Sequence, residues 1–225
     1  MSLRRCVGEL LNLIAPVSCS GCARRDVTVC PECWDHMARP LTLMKEPLVV
    51  NGRAIPVFSG GTYSGVRQSM VLDFKNGSKR KLAPLLLGLH TPGDRGVSSE
   101  GSAATVITPV PASHWGTWQR GYSPSLLLAK SLGDTLENMK VVPLVTHRLR
   151  ASSLLRNPSQ PRNRLTRLAR SAEDYWAMGM RGSASVVLVD DVMATGASVR
   201  AVAGCLMEGG YRVRAVVVAA HIPGN

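Results

Sequence analysis

Residues 186 to 198 read Val-Val-Leu-Val-Asp-Asp-Val-Met-Ala-Thr-Gly-Ala-Ser, and no other stretch restricts the fold of this chain as tightly. Val186 to Val189 is an unbroken β-branched and aliphatic run, as expected of a strand buried between layers. Two consecutive carboxylates, Asp190 and Asp191, follow it. They fall at the carboxyl end of the strand, the edge outside which open α/β sheets bind their ligands. Ala194, Thr195, Gly196, Ala197 and Ser198 are small enough for the backbone to curl closely around an anion. From Ser198 to Glu208 the apolar residues Val199, Val202, Ala203, Leu206 and Met207 keep helical spacing, which predicts a helix with one face on the sheet. Its free N–H groups and positive dipole end then point at the same small-residue loop, making a phosphate cradle. Adjacent acids can accept hydrogen bonds from a vicinal diol and help organise Mg²⁺. The competing reading, in which the acids merely open a surface loop, requires strand, acids, loop and amphipathic helix to coincide without purpose.

The surrounding pattern supports an α/β class. Val106–Val110 and Val141–Val145 read as short strands, Ser123-Pro124 as an N-cap and first-turn proline for a helix to about Leu132, and Val213–Ala220 as a closing strand after the Gly209-Gly210 stop. Upstream, Leu3–Ile14 has helical spacing, a proline-containing connector runs to about Gly52, and Ala54–Tyr63 looks extended. Val66–Phe74 reads as a helix burying Val66, Met70, Leu72 and Phe74, followed by a Lys75–Ser78 turn and a further helix ending near His90. Thr91–Ser102 has no apolar period and reads as a loop.

At 225 residues the chain is long enough for one sizeable core and a small accessory module. A hydrophobic fraction of 45% and a charged fraction of 19% exclude a disordered chain, and no apolar run approaches the roughly 18 residues of a membrane span. Glu9 and Asn12 interrupt the N-terminal apolar stretch, so a cytoplasmic location is expected. There disulfides are disfavoured, and Cys19-x₂-Cys22-x₇-Cys30-x₂-Cys33 reads as two chelating pairs completing a closed, structural Zn²⁺ knuckle, in preference to a redox dithiol or incidental thiols. Arg24 and Arg25 in its central loop either touch phosphates or are solvated. Cys6 and Cys205 lie on apolar helix faces and read as core residues.

The 186–198 segment resembles the thirteen-residue signature of type I phosphoribosyltransferases. The resemblance implies a mostly parallel sheet with flanking helices, Asp190 and Asp191 on the ribose hydroxyls with Mg²⁺, and Ala194, Thr195, Gly196, Ala197 and Ser198 on the 5′-phosphate. With the cysteine knuckle in view, the whole chain resembles the ComF family of competence-associated proteins, which join an N-terminal zinc finger to such a domain. On that likeness residues 1–50 form the helix and the four-cysteine zinc finger, and residues 51–225 the phosphoribosyltransferase-like domain. Tyr63–Arg67 with Phe74-Lys75-Asn76-Gly77 looks like the family's diphosphate-binding stretch. Pro109-Val110-Pro111 with Arg120-Gly121-Tyr122 looks like its Pro-Val-Pro and Arg-Gly-aromatic pair, part of a mobile hood, and Gln160 falls at a family glutamine. Ser171–Asp174 departs from the family pattern, as does Ala194 where threonine is usual.

The residues alone leave several roles open. Lys75 in a glycine-containing turn either supplies a diphosphate counter-charge or is an ordinary exposed turn lysine. Arg120 either closes over a phosphate or is a solvated loop arginine, and Trp115, Trp118 and Tyr122 either stack on a base or pin their loop. The net charge of +12 draws polyanions. Arg148, Arg150, Arg156, Arg162, Arg164, Arg167 and Arg170 form a stretch with no lysine or acid, which suits a nucleic-acid backbone or a solvated face. Three functions follow: a ComF-like protein that binds phosphoribosyl diphosphate or a related sugar phosphate and acts with competence proteins and single-stranded DNA in DNA uptake, an active phosphoribosyltransferase releasing diphosphate, or a non-catalytic metabolite sensor.

Overall fold

The structure, a computed structural model, describes residues 17–77, 79–89, 105–112, 120–136, 139–148, 172–178 and 184–223. The Leu3–Ile14 helix with Cys6, the Thr91–Ser102 loop, His90, Trp115, Trp118, Gln160, Ser171 and the arginines from Arg150 to Arg170 lie outside the described residues.

The long apolar run forms the centre of a six-stranded sheet. In chain order the strands are β1 (Thr42–Leu43), β2 (Leu48–Val50), β3 (Arg53–Ile55), β4 (Val57–Ser59), β5 (Thr105–Pro109), β6 (Lys140–Val141), β7 (Val145–His147), β8 (Tyr175–Ala177), β9 (Ser185–Met193) and β10 (Arg212–His221). The helices are α1 (Pro31–Met37), α2 (Gly65–Lys75), α3 (Ala83–Leu86), α4 (Pro124–Thr135) and α5 (Ala197–Glu208). Sheet order is β1-β4-β10-β9-β5-β6, parallel throughout except for the antiparallel edge pair β1-β4. The molecule is therefore mixed α/β with a mostly parallel central sheet. Two small antiparallel two-stranded sheets, β2-β3 and β7-β8, sit beside it.

Both faces of β9 are covered. Val187 and Val189 join Leu128, Ala129 and Leu132 of α4, Met70 and Phe74 of α2, and Leu86 of α3 in one core. Val186 and Leu188 join Val199, Val202 and Leu206 of α5, with Leu48, Val50 and Ile55 of β2-β3, in the other. Burial on two sides is why the strand tolerates no polar alternation. The connections explain where the helices lie: β6 and β10 flank the β5-β9 pair on opposite sides. Right-handed crossovers then carry α4 and α5 to opposite faces.

Several local expectations need correction. The strand expected to stop at Val189 continues to Met193, so Asp190 and Asp191 lie within β9. Helix α5 starts at Ala197 with Gly196 as N-cap in the left-handed conformation, one residue ahead of the expected Ser198. The strand expected over Val141–Val145 is two pieces, β6 in the main sheet and β7 in a small two-stranded sheet with β8. Pro143 falls between them and has no N–H to give a ladder. Leu72 is 44% exposed, whereas Arg67 is 4% exposed. The buried stripe of α2 is Arg67, Met70, Val71 and Phe74, a regular i, i+3, i+4, i+7 face from which Leu72 is excluded. Arg67 Nη1 donates to the carbonyls of Leu86 and Ala219, each at 3.1 Å, and burial holds the guanidinium pKa down to about 10.

The connector before Gly52 is more structured than its prolines suggest, since it supplies β1 and β2. Cys19, Cys30, Cys33 and Met37 belong to the same core as α2 and α3. No helix among the described residues is long and apolar enough to cross a membrane.

Candidate functional site

Strand β9 outruns its neighbour. The β5 ladder ends at Pro109 opposite Val189, while β10 stays paired with β9 through Met193. Asp190, Asp191 and the loop after them therefore stand beyond the end of β5, leaving a cleft on that side. It has a volume of about 360 Å³ and is walled by the carboxyl ends of β5 and β9, the start of α4, the start of α5, Lys75 and Arg120. Among the residues singled out in the sequence, Asp190, Asp191, Ala194, Thr195, Gly196, Ala197, Ser198, Lys75 and Arg120 all line it. Asn76 and Gly77 follow Lys75 at the end of α2, and Gly121 follows Arg120, without being part of the wall. The cleft sits where the chain leaves β5 for one side of the sheet and β9 for the other, the topological switch point of an open parallel sheet.

The walls are polar and oppositely charged. Lys75 Nζ lies 3.2 Å from Asp191 Oδ1. Asp191 Oδ1 also accepts from the Val192 N–H at 2.6 Å, and Asp190 Oδ1 accepts from the Asp191 N–H at 2.8 Å. Arg120 Nε is buried with no hydrogen-bond partner among the described residues. A buried guanidinium donor without an acceptor is costly, and Arg120 is among the residues that line the cleft.

The loop after the acids is held from behind. Gly196 has φ 71°, a conformation that favours glycine. A Cβ there would come 3.0 Å from Leu48 Cδ1 and 3.1 Å from a terminal nitrogen of Arg200. That Arg200 donates to the Thr195 carbonyl at 2.7 Å, and the Ala197 N–H reaches Thr195 Oγ1 at 3.4 Å. Helix α5 is twelve residues long, so its N-terminus carries an appreciable partial positive charge.

Other contacts fix the rim; the Ser123 cap is expected from the sequence, whereas the partners of Ser125 and His147 are not. Ser125 donates to the Val110 carbonyl at 2.6 Å, and the Ser123 hydroxyl caps α4 through the Leu126 N–H. His147 contacts the Pro111 carbonyl at 3.2 Å and packs on Tyr175 at 4.8 Å between ring centroids. The Tyr122 ring is buried against Phe74, which agrees with the reading that it pins its loop. Ser125 and His147 carry no sequence signal for these roles, because each acts through a backbone carbonyl distant in the chain.

The four cysteines form a second, separate cluster. Their sulfurs all lie within 4.8 Å of one another, with Cys22 and Cys30 at 3.6 Å. Four sulfurs about 2.3 Å from a tetrahedral zinc would be about 3.8 Å apart, so the set fits a metal ion such as zinc, with no open position. Burial disfavours the Cys19 thiolate, but N–H donors from Cys30, Cys22 and Gly21 outweigh it and bring the thiol to about 6. Burial and the neighbouring cysteines push Cys33 up, as expected where four thiols converge without a cation. The fit is close: a Cβ on Gly21 would meet Cys33 Sγ at 2.6 Å and Val66 at 2.8 Å. Arg24 is ion-paired with Glu32 at 2.8 Å on the exposed side of the knuckle. Lys79 ties the cluster to α2, donating to the Ser18 carbonyl and lying 3.5 Å from Asp73. Cys205 is buried in the α5 core.

No family model matches the chain, and no curated protein matches it in sequence.

Proposed function

We propose that the cleft binds 5-phosphoribosyl diphosphate or a closely related sugar phosphate, in a type I phosphoribosyltransferase-like fold joined to a four-cysteine zinc finger as in the ComF family. One observation carries the reading: an acidic pair, a helix-capped small-residue loop and two cations, drawn from separate stretches of chain, wall a single cleft at the switch point of the sheet. Each part suits one part of the ligand. The loop 194–198 offers backbone N–H groups to a terminal phosphate. Asp190 and Asp191 suit the vicinal hydroxyls of the pentose. Lys75 and Arg120 suit the counter-charge that a diphosphate on C1 would need, and the Arg120 Nε–H has no acceptor among the described residues.

The acidic pair also suits Mg²⁺, a hard cation that takes one or two carboxylates together with substrate phosphates. Bound there, Mg²⁺ would neutralise diphosphate charge. Lys75 is already shared with Asp191, so its transfer to the diphosphate leaves that carboxylate to the cation or the sugar.

A second reading, turnover with displacement of diphosphate by a nitrogen nucleophile, is favoured by the cations at the leaving-group end. The part in DNA uptake and single-stranded DNA handling follows from the ComF resemblance and the net charge of +12. Calorimetry with phosphoribosyl diphosphate and Mg²⁺ tests the site. Binding is expected, weakened at least about a hundredfold by Asp190→Asn with Asp191→Asn, since two charge-assisted contacts are lost. No heat at ligand concentrations of about 1 mM, equivalent to less than about 4 kcal/mol of affinity, would overturn it. Diphosphate release against nucleobases and amines then decides turnover, and binding of single-stranded DNA by the doubly substituted chain decides whether DNA uses a different surface.

A further inference from the structure

Tyr122 sits where the two cation-bearing segments of the cleft meet. Its hydroxyl donates to the Phe74 carbonyl. Its ring stands edge-on to Phe74 at 6.3 Å between centroids and carries the Arg80 guanidinium at 4.6 Å. A Cβ on Gly77 would lie only 3.2 Å from the ring, so the turn after α2 is closely apposed to it. The Phe74 carbonyl belongs to the planar peptide that ends at the Lys75 nitrogen, and it also accepts from the Gly77 N–H at 3.2 Å. Holding that peptide fixes the direction in which Lys75 leaves the helix. On the other side, Gly121 at φ 69° turns the chain so that Arg120, two residues before Tyr122, reaches the same cleft wall.

We propose that Tyr122 is a positioning residue that locks Lys75 and Arg120 into one diphosphate clamp, so that the two cations act as a unit and not as separate loop residues. The inference rests on the sugar-phosphate reading of the cleft. It assigns a task to the hydroxyl of Tyr122 in particular: a phenylalanine would keep the edge contact with Phe74 and the seat for Arg80, and lose only the link to the Phe74 carbonyl. The consequence is selective. A ligand without the diphosphate, ribose 5-phosphate, engages the acids and the 194–198 loop, meets the clamp only indirectly where Lys75 pairs with Asp191, and depends far less on Tyr122.

The test is calorimetry on the full chain with Mg²⁺, comparing phosphoribosyl diphosphate with ribose 5-phosphate for the parent and Tyr122→Phe. Loss of one buried hydrogen bond that fixes the clamp is expected to weaken phosphoribosyl diphosphate by roughly tenfold. Ribose 5-phosphate should stay within about twofold of the parent value, a difference no larger than ordinary scatter in such contacts. A merely structural tyrosine would lower thermal stability and weaken both ligands together, so an unchanged affinity ratio overturns the proposal. Tyr122→Leu, which also removes the ring, should deepen the selective loss; if that chain fails to fold, Tyr122→Phe alone decides. A parent chain that binds neither ligand refutes the site reading and this inference with it. A parent that binds both, with an unchanged ratio in Tyr122→Phe, refutes only the clamp.

Discussion

Gly196→Ala separates the proposed phosphate loop from the scaffold that carries it. Two costs act on the folded chain. The left-handed conformation at φ 71° penalises a Cβ by about 1 to 2 kcal/mol. The new methyl would also stand 3.0 Å from Leu48 Cδ1 and 3.1 Å from the Arg200 guanidinium. Both neighbours are ends of flexible side chains, so displacing them costs about 1 kcal/mol in off-rotamer strain. The sum is about 2 to 3 kcal/mol, and at about 2 to 4 °C per kcal/mol for a chain of this size the melting temperature should fall by about 4 to 12 °C. Gly210→Ala is the control. Gly210 has φ 87° and open space around its Cβ position, so it suffers the conformational cost alone. Gly196→Ala should therefore melt a few degrees lower than Gly210→Ala in the same scan. Function should divide the two more sharply. Shifting Arg200 frees the Thr195 carbonyl from its 2.7 Å contact and moves the N–H groups that open α5, so ribose 5-phosphate affinity should drop at least tenfold, about 1.4 kcal/mol. Gly210→Ala should leave that affinity unchanged. Equal stability losses with intact ribose 5-phosphate binding in both variants would show that the 194–198 loop is not the anion cradle.

The four-cysteine cluster, read as a zinc site, predicts about one zinc per chain by elemental analysis. Cys22→Ser, at the one exposed member of the four, should weaken zinc binding more than about a hundredfold and lower the melting temperature without opening a core cavity. His221 predicts a pH dependence: burial pushes its pKa below the ordinary value, and its ring is paired with Ser59 Oγ at 2.9 Å. The unfolded chain takes up a proton near pH 6.5 while the folded chain does so only lower, so its contribution is present above about pH 6.5 and is lost as pH falls below it. Thermal scans from pH 8 to 5 should show the parent losing stability relative to His221→Asn through that window, and parallel curves would refute the assignment.

How much of this is legible in the sequence follows from what each feature depends on. The β9-loop-α5 segment is contiguous, and its strand is buried on both faces, so composition alone marks it. The cysteine pairs are legible because chelation fixes their spacing, and the α4 cap because Ser123-Pro124 acts on its own helix. Leu72 is misplaced in the α2 stripe when side-chain type is weighed above period. Arg67 completes the regular spacing, and a buried arginine is recognisable only when the carbonyls of Leu86 and Ala219 are seen to receive it. The break at Pro143 is legible in principle, since a proline inside a short strand argues against a continuous ladder. Strands of two or three residues such as β1 and β2 carry too few positions to show a period, and only their partners β4 and β3 define them.

The same distinction explains why the cationic part of the cleft resists a sequence reading while its acids do not. Lys75 and Arg120 each have an innocent explanation in isolation, an exposed lysine after a helix and an arginine in a loop. What removes that explanation is convergence: Lys75 on Asp191 at 3.2 Å, Arg120 Nε buried without an acceptor among the described residues, and Tyr122 joining the two segments through the Phe74 carbonyl. None of these is local, and each depends on α2 and the start of α4 packing on one face of the sheet through Phe74, Leu128 and Val189. The apolar core thus sets the functional geometry. Because two strands and two helices must be in register before the cations meet, a substitution in that core should reach ligand affinity through the distance between Lys75 and Arg120 before it reaches the acids. Those acids ride on β9 itself and are held by ladder hydrogen bonds to β10.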